Sequence, residues 1–125
     1  MLTDADLIWN RAAIEDGGPA PSAGDRSLAC LLLAHGLVMS GGVLHAVECL
    51  ESAELIAAQA GYRYFNLIPV AELLTRARTK CDDDDPGSQE PLLDAEYATL
   101  IPDDAFLVER FEQRLRSHPD DFSSL

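Results

Sequence analysis

Large aliphatic residues concentrate between Asp25 and Cys81, where they recur at the spacing of an amphipathic helix. The Gly41-Gly42 pair divides this stretch into two helical patterns. In the first, over Arg26–Met39, apolar residues point in nearly all directions, which is typical of a buried central helix. Asp25 is predicted to be the N-cap of this helix. The pattern therefore predicts an all-α fold packed around Arg26–Met39.

Other apolar patterns predict further helices on both sides of the central one. The predicted caps are Thr3 or Asp4, Ser52, Asp94 and Asp103, and Pro69 is predicted at a first helical position. A short helix after the Gly-Gly pair is predicted from an apolar stripe that begins with Val43. The strand-like piece YRYFNLIPV is interpreted as a helix end plus a turn, because no second strand pattern exists to pair with it. The 125 residues predict one domain, 1–125, a bundle of about five to seven helices. Residues 119–125 are expected to fray unless Phe122 folds back onto the core.

Acidic residues dominate the chain that follows Cys81. DDDDPGSQEP, residues 82–91, combines like charges with Pro, Gly and Ser, which predicts an acidic loop. Between Asp82 and Glu109 there are ten acidic residues and no Lys or Arg. The net charge of −13 argues against direct binding to nucleic acid, whose phosphates are contacted by Lys and Arg, and against anionic membranes. It favours basic proteins as partners.

The cysteines and the N-terminal residues indicate the cellular compartment. Cys30, Cys49 and Cys81 are an odd number, have no CxxC spacing and lie in apolar helical patterns, which favours reduced thiols. The N-terminal residues include acids where a secretory signal carries bases, and no apolar run approaches the roughly 20 residues of a membrane span. The expected localisation is cytoplasmic.

Two histidines, a cysteine and a glutamate could bind a metal ion by their side-chain type, but their spacing does not match a usual zinc site. His45 and Cys49 are four residues apart on one helix face, with Glu48 beside them and His35 one helix earlier. A zinc site usually needs three or four protein ligands, and Cys49 shares its face with apolar positions. This spacing is more typical of core or surface side chains, so no metal site is predicted.

Calcium-binding and hydrolase patterns also fail. A calcium loop that starts at Asp82 would place Pro86 at position 5 and Leu93 at position 12, where a glutamate is needed. Ser40 precedes two glycines, but the chain has no G-x-S-x-G motif and no strand to carry one. No catalytic residue and no cofactor are therefore predicted. An enzyme that uses His35, His45 and Cys49 ranks below a binding protein.

The acidic surface is the remaining candidate site. Carboxylates fixed along one ridge of a helical protein present a field similar to that of DNA, which has about one charge per 1.7 Å of axis. The alternative is that the acidity serves only solubility. The candidate partner-binding residues are Asp82, Asp83, Asp84, Asp85, Glu90, Asp94, Glu96, Asp103, Asp104 and Glu109.

The order of short motifs resembles a bacterial family. The motifs are Ser40-Gly41-Gly42, HAVECLESAELIAAQA, PVAELLTRA, LLDAEYATL and a last helix ending in RSHPDDF. In this order they resemble a small acidic all-α family, otherwise of unknown function, whose namesake is a DNA-mimic protein. Val43-Leu44-His45 stand where that family has aromatic residues after the Gly-Gly turn. The resemblance implies a helical fold, self-association as a homodimer, and binding to a transcription regulator.

These observations together predict a non-enzymatic, acidic protein-binding module. The first hypothesis is a DNA mimic that occupies the DNA-binding surface of a basic regulator. The alternative is an immunity-type protein that neutralises a basic toxin or nuclease, for which very tight binding is required.

Overall fold

The structure is a computed structural model that describes residues 1–82 and 86–125, and all the regular secondary structure of these residues is helical. Two short 3-10 turns, Pro86–Ser88 and Pro119–Asp121, accompany the α-helices. The helices are α1 Asp4–Glu15, α2 Ala23–Gly41, α3 Val43–Cys49, α4 Ser52–Tyr64, α5 Ile68–Lys80, α6 Glu90–Leu100 and α7 Asp104–Ser117. The predicted all-α, single-domain bundle is confirmed.

Helix α2 is central, but it is not buried on all sides as predicted. It packs against α1, α3 and α4, and its inner face includes the fully buried Leu28 and Leu31. On the outer face, Leu33 is 48% exposed and Met39 is 68% exposed. A domain of this size has a high ratio of surface to volume, so its few helices do not enclose the central one.

The start of α2 also differs from the prediction. Ser22 is the N-cap, and Asp25 lies at the third helical position, where its carboxylate accepts a hydrogen bond from the Ser22 amide at 3.0 Å. This bond is the carboxylate half of a capping box. The Ser22 hydroxyl lies 2.9 Å from the Ser123 hydroxyl. The prediction that Asp25 is the N-cap is wrong. An acid can accept hydrogen bonds from amide groups at the start of a helix both from the N-cap and from the third helical position, so the sequence pattern does not distinguish the two.

The C-terminal tail folds back onto the core, the second of the two predicted alternatives. Phe122 is buried and packs edge-on against Phe111, which also contacts the single tryptophan, Trp9. The buried carboxylate of Asp25 accepts a hydrogen bond from the Ser123 amide at 2.8 Å. The tail is therefore part of the packed domain.

Arg11 joins the tail to the same carboxylate. Its guanidinium donates to Asp25 Oδ1 at 2.8 Å and to the carbonyl oxygens of Ser123 and Ser124. Burial by itself raises the pKa of Asp25, but the amides of Ser123 and Ser22 and the Arg11 guanidinium outweigh it and hold that pKa below its ordinary value. Asp25 is consequently a buried, ionised and fully paired carboxylate.

Gly61 marks the closest approach of α2 and α4. It lies three residues before the end of α4 at Tyr64. A Cβ atom at this position would lie 2.5 Å from the backbone oxygen of Ser27 in α2. The absence of a side chain lets the two backbones meet.

The acidic loop is shorter than the predicted range 82–91. Pro86–Ser88 forms a 3-10 turn, and α6 already begins at Glu90, with Pro91 in its first turn. Proline favours such a position because its missing N–H would have no helical partner there. Asp94, predicted to cap this helix, lies one turn inside it. Asp83, Asp84 and Asp85 lie outside the described residues.

Candidate protein-binding surface

Helix α6 carries three of the candidate acids, and one of them caps a different helix. Asp94 Oδ1 accepts a hydrogen bond from the amide of Val43, the first residue of α3, at 2.8 Å. The preceding Gly42 has a φ of +97°, and a Cβ atom there would meet Asp94 Oδ2 at 2.9 Å. The Gly-Gly turn thus gives the carboxylate access to the α3 N-terminus, where the helix dipole favours negative charge.

This contact gives a prediction for Asp94→Ala. The substitution should lower the free energy of unfolding by about 1 kcal/mol, the usual cost of losing a capping acceptor. Urea unfolding followed by circular dichroism measures the change. Glu109→Ala, at an exposed site in the interior of α7, is the control and should stay within about 0.5 kcal/mol of the wild type. Equal values for both variants would contradict the capping role of Asp94.

Glu96 binds α6 to α5. Its carboxylate accepts two hydrogen bonds from the Arg76 guanidinium, one of them at 3.1 Å from Nη1 to Oε1. These bonds lower the pKa of Glu96. A guanidinium meets a carboxylate best in such a two-point arrangement. Part of the negative charge of Glu96 is thereby offset by an intramolecular partner at the surface.

The two acids that precede and begin α7 also have intramolecular partners. Asp103 is the N-cap, as predicted, and accepts a hydrogen bond from the Phe106 amide at 2.9 Å. Asp104 Oδ1 lies 3.0 Å from Nε2 of His35 in α2, although its side chain is 77% exposed. Both carboxylates therefore position α7 and still face solvent.

His35 continues this contact into a buried chain of hydrogen bonds. Its Nδ1 is 2.8 Å from the Tyr97 hydroxyl, which is 2.7 Å from the Tyr62 hydroxyl. Burial raises the pKa of both tyrosines, so they are neutral at neutral pH. The chain links α2, α4, α6 and α7. It occupies both ring nitrogens of His35 with structural contacts.

The remaining described candidates face solvent. Asp82 is exposed and lies 3.4 Å from Arg78, a surface pair that contributes little to stability. Glu90 and Glu109 are exposed and form no ion pair with any described residue. Glu90, Asp82, Asp104 and Glu109 are thus the described candidates with the most accessible charge.

The structure adds Glu48 to this surface. Its Oε1 lies 3.9 Å from Sγ of Cys81, the residue before Asp82, so the exposed carboxylate of α3 lies at the end of α5. Burial, followed by the charge of Glu48, raises the pKa of the Cys81 thiol. Glu48 is distant from the acidic stretch in sequence, so only the packing of α3 against α5 reveals it.

Histidine and cysteine side chains do not assemble a metal centre within the described chain. Cys49 Sγ lies 3.6 Å from His45 Nδ1, so these two are neighbours as their spacing predicts. No group of three or more His, Cys, Asp or Glu side chains among residues 1–82 and 86–125 is placed to hold a metal ion. The pair His45–Cys49 is a surface contact of α3.

No family model, no curated protein and no solved structure matches this chain. The resemblance to the DNA-mimic family therefore stays a prediction. Among the described residues no helix has both the length and the apolar character needed to cross a bilayer.

Proposed function

We propose that this protein is a non-enzymatic acidic module that binds a basic protein, with the DNA-binding surface of a transcription regulator as its target. The observation that carries the proposal is the excess of ten acids over no bases between Asp82 and Glu109. Glu48 extends this negative region onto α3. A positively charged surface would be attracted to it and oriented by it.

The contacts of α6 support a rigid presentation of these charges. Asp94 and Glu96 attach the helix to α3 and α5, and Asp103 and Asp104 attach the start of α7. From Glu90 to Leu100 the helix rises by about 15 Å. A rigid surface loses little conformational entropy on binding, which favours affinity. In the proposed function, one set of acids holds the surface in place and the exposed set meets the partner.

A pull-down from native lysate tests the proposal with two variants of equal net charge. The surface variant carries Glu48→Gln, Asp82→Asn and Glu90→Gln, and the control carries Asp4→Asn, Glu15→Gln and Asp120→Asn. We expect the wild type and the control to capture one basic DNA-binding protein and the surface variant to lose about tenfold or more of it. Capture should weaken as the salt concentration rises, because salt screens the attraction between exposed charges. The Debye length is about 10 Å at 0.1 M salt and becomes shorter at higher concentrations.

The identity of the captured protein distinguishes the two binding hypotheses. A DNA-binding regulator, released by its own operator DNA, would support the DNA-mimic function. A basic toxin or nuclease would support the immunity alternative instead. Equal capture by the two triple variants would contradict a role for the acidic surface.

A further inference from the structure

Arginine residues gather in one pocket of this acidic protein, between the end of α4 and the second half of α7. The pocket has a volume of about 240 Å³. Its polar lining consists of Arg63, Asn66, Arg110, Gln113, Arg114 and Ser117. Residues 110, 113, 114 and 117 share one face of α7, because they are spaced by three and four positions. Helix α4 and the turn after it supply the other two.

The arginines of this pocket lack the carboxylate partners found elsewhere. Arg110 lies 5.1 Å from the Phe106 ring and Arg114 lies 4.3 Å from the Tyr64 ring. Neither of them, nor Arg63, forms an ion pair with a carboxylate of the described chain. Of the five arginines outside the pocket, Arg26 donates to the Pro21 carbonyl oxygen. The other four form the ion pairs Arg11–Asp25, Arg76–Glu96, Arg78–Asp82 and Arg116–Glu112.

The pocket keeps a positive charge after its surroundings are counted. Tyr64 donates a hydrogen bond to Asp121 at 2.6 Å, and burial together with this bond raises the pKa of Tyr64 to about 12. Asp121 offsets one of the three guanidinium charges, and the carbonyl ends of α4 and α7 offset part of another. The Nε of Arg114 is buried without an acceptor in the described chain. At least one guanidinium donor of Arg114 therefore lacks a partner within the described chain.

We propose that this pocket binds a phosphate group, as free phosphate or as the phosphate of a small monoester. A phosphate group has several strong acceptor oxygens, and planar guanidinium groups bind such oxygens in two-point arrangements. The amide groups of Asn66 and Gln113 add neutral donors at the same rim. Pockets for drug-sized ligands begin at about 300 Å³, so this smaller one suits a phosphate group better than a whole nucleotide. This site is separate from the acidic surface.

Calorimetric titration of the intact protein with inorganic phosphate, in low-salt chloride buffer, tests the site. We expect saturable binding with one phosphate per chain and a dissociation constant below about 1 mM. Arg63→Gln should weaken it about tenfold, and the pair Arg63→Gln with Arg110→Gln should weaken it further, because each guanidinium contributes a charge-assisted hydrogen bond. Arg116→Gln lies on α7 outside the pocket lining and should bind as the wild type does.

Arg63 is exposed and has no partner in the core, so its single variant keeps the test valid if the double variant does not fold. Tighter binding of phenyl phosphate than of phosphate would identify a monoester as the ligand, and equal binding would identify free phosphate.

Three results would overturn the proposal. They are no saturation at about 10 mM phosphate, acetate binding as tight as phosphate binding, or equal weakening by Arg63→Gln and Arg116→Gln.

Discussion

Asp25→Asn is expected to lower the free energy of unfolding by about 3 kcal/mol, the largest effect of any single charge in this protein. Asp25 has no exposed surface and accepts hydrogen bonds from Ser22, Ser123 and Arg11. The amide would leave the largely buried guanidinium of Arg11 without its counter-charge. Urea unfolding at neutral pH measures the loss. Asp120→Asn, an exposed acid of the same tail, is the control and should change stability by less than about 0.5 kcal/mol.

The ionised carboxylate of Asp25 also leads to a prediction of how the stability of the protein depends on pH. The pKa of Asp25 is lower in the folded than in the unfolded chain, where the ordinary value is about 3.9. Its stabilising contribution is therefore complete above that unfolded value and is lost as the pH falls through the folded value. The difference in stability between wild type and Asp25→Asn should shrink in acid, below about pH 4. A difference that stays constant from neutral pH to about pH 2 would contradict the assignment of an ionised, buried carboxylate.

Gly61→Ala is expected to lower the free energy of unfolding by about 2 kcal/mol, because the added methyl group meets backbone that cannot rotate away. The obstructing atom is the Ser27 carbonyl oxygen, which would lie 2.5 Å from the methyl carbon of the alanine. A shift of α2 against α4 to relieve this clash would disturb the main helix contact of the core. Thermal unfolding followed by circular dichroism measures the effect.

Gly36→Ala is the matched control for Gly61→Ala. Gly36 is also helical, but a Cβ atom there would meet nothing within 4 Å. Alanine should therefore stabilise the protein by about 0.5–1 kcal/mol through its higher helix propensity. If both alanine variants were stabilising, the close approach of α2 and α4 at Gly61 would be wrong.

The helix pattern could be predicted from the sequence because apolar spacing and capping residues are local signals. Thr3 and Asp103 cap the helices for which they were predicted. The errors occur where a carboxylate has several possible partners. Asp94 fits the N-cap pattern of α6, but it caps α3, which is 51 residues earlier. A local pattern contains no information about such a distant amide group.

The candidate surface was predictable in composition but not in arrangement. The acidic stretch is evident from the sequence, whereas the neighbourhood of Glu48 and Cys81 depends on the packing of α3 against α5. The division of the acids into those with intramolecular partners and those facing solvent also depends on tertiary contacts. Likewise, Arg63 and Arg110 carry no signal in the sequence, and only the position of α7 beside the end of α4 brings them together.

The attachment of the tail to Asp25 has a consequence for the order of folding. The hydrogen bond between Asp25 and the Ser123 amide joins residues 98 positions apart, so it closes nearly the whole chain into a loop. Closing so long a loop costs the chain more conformational entropy than a local contact does, so we expect this contact to form late. During synthesis, α1 to α7 precede Ser123 out of the ribosome. A nascent chain that ends before Ser123 lacks one of the donors to Asp25. We therefore expect the full burial of this charge to wait until the tail has been synthesised.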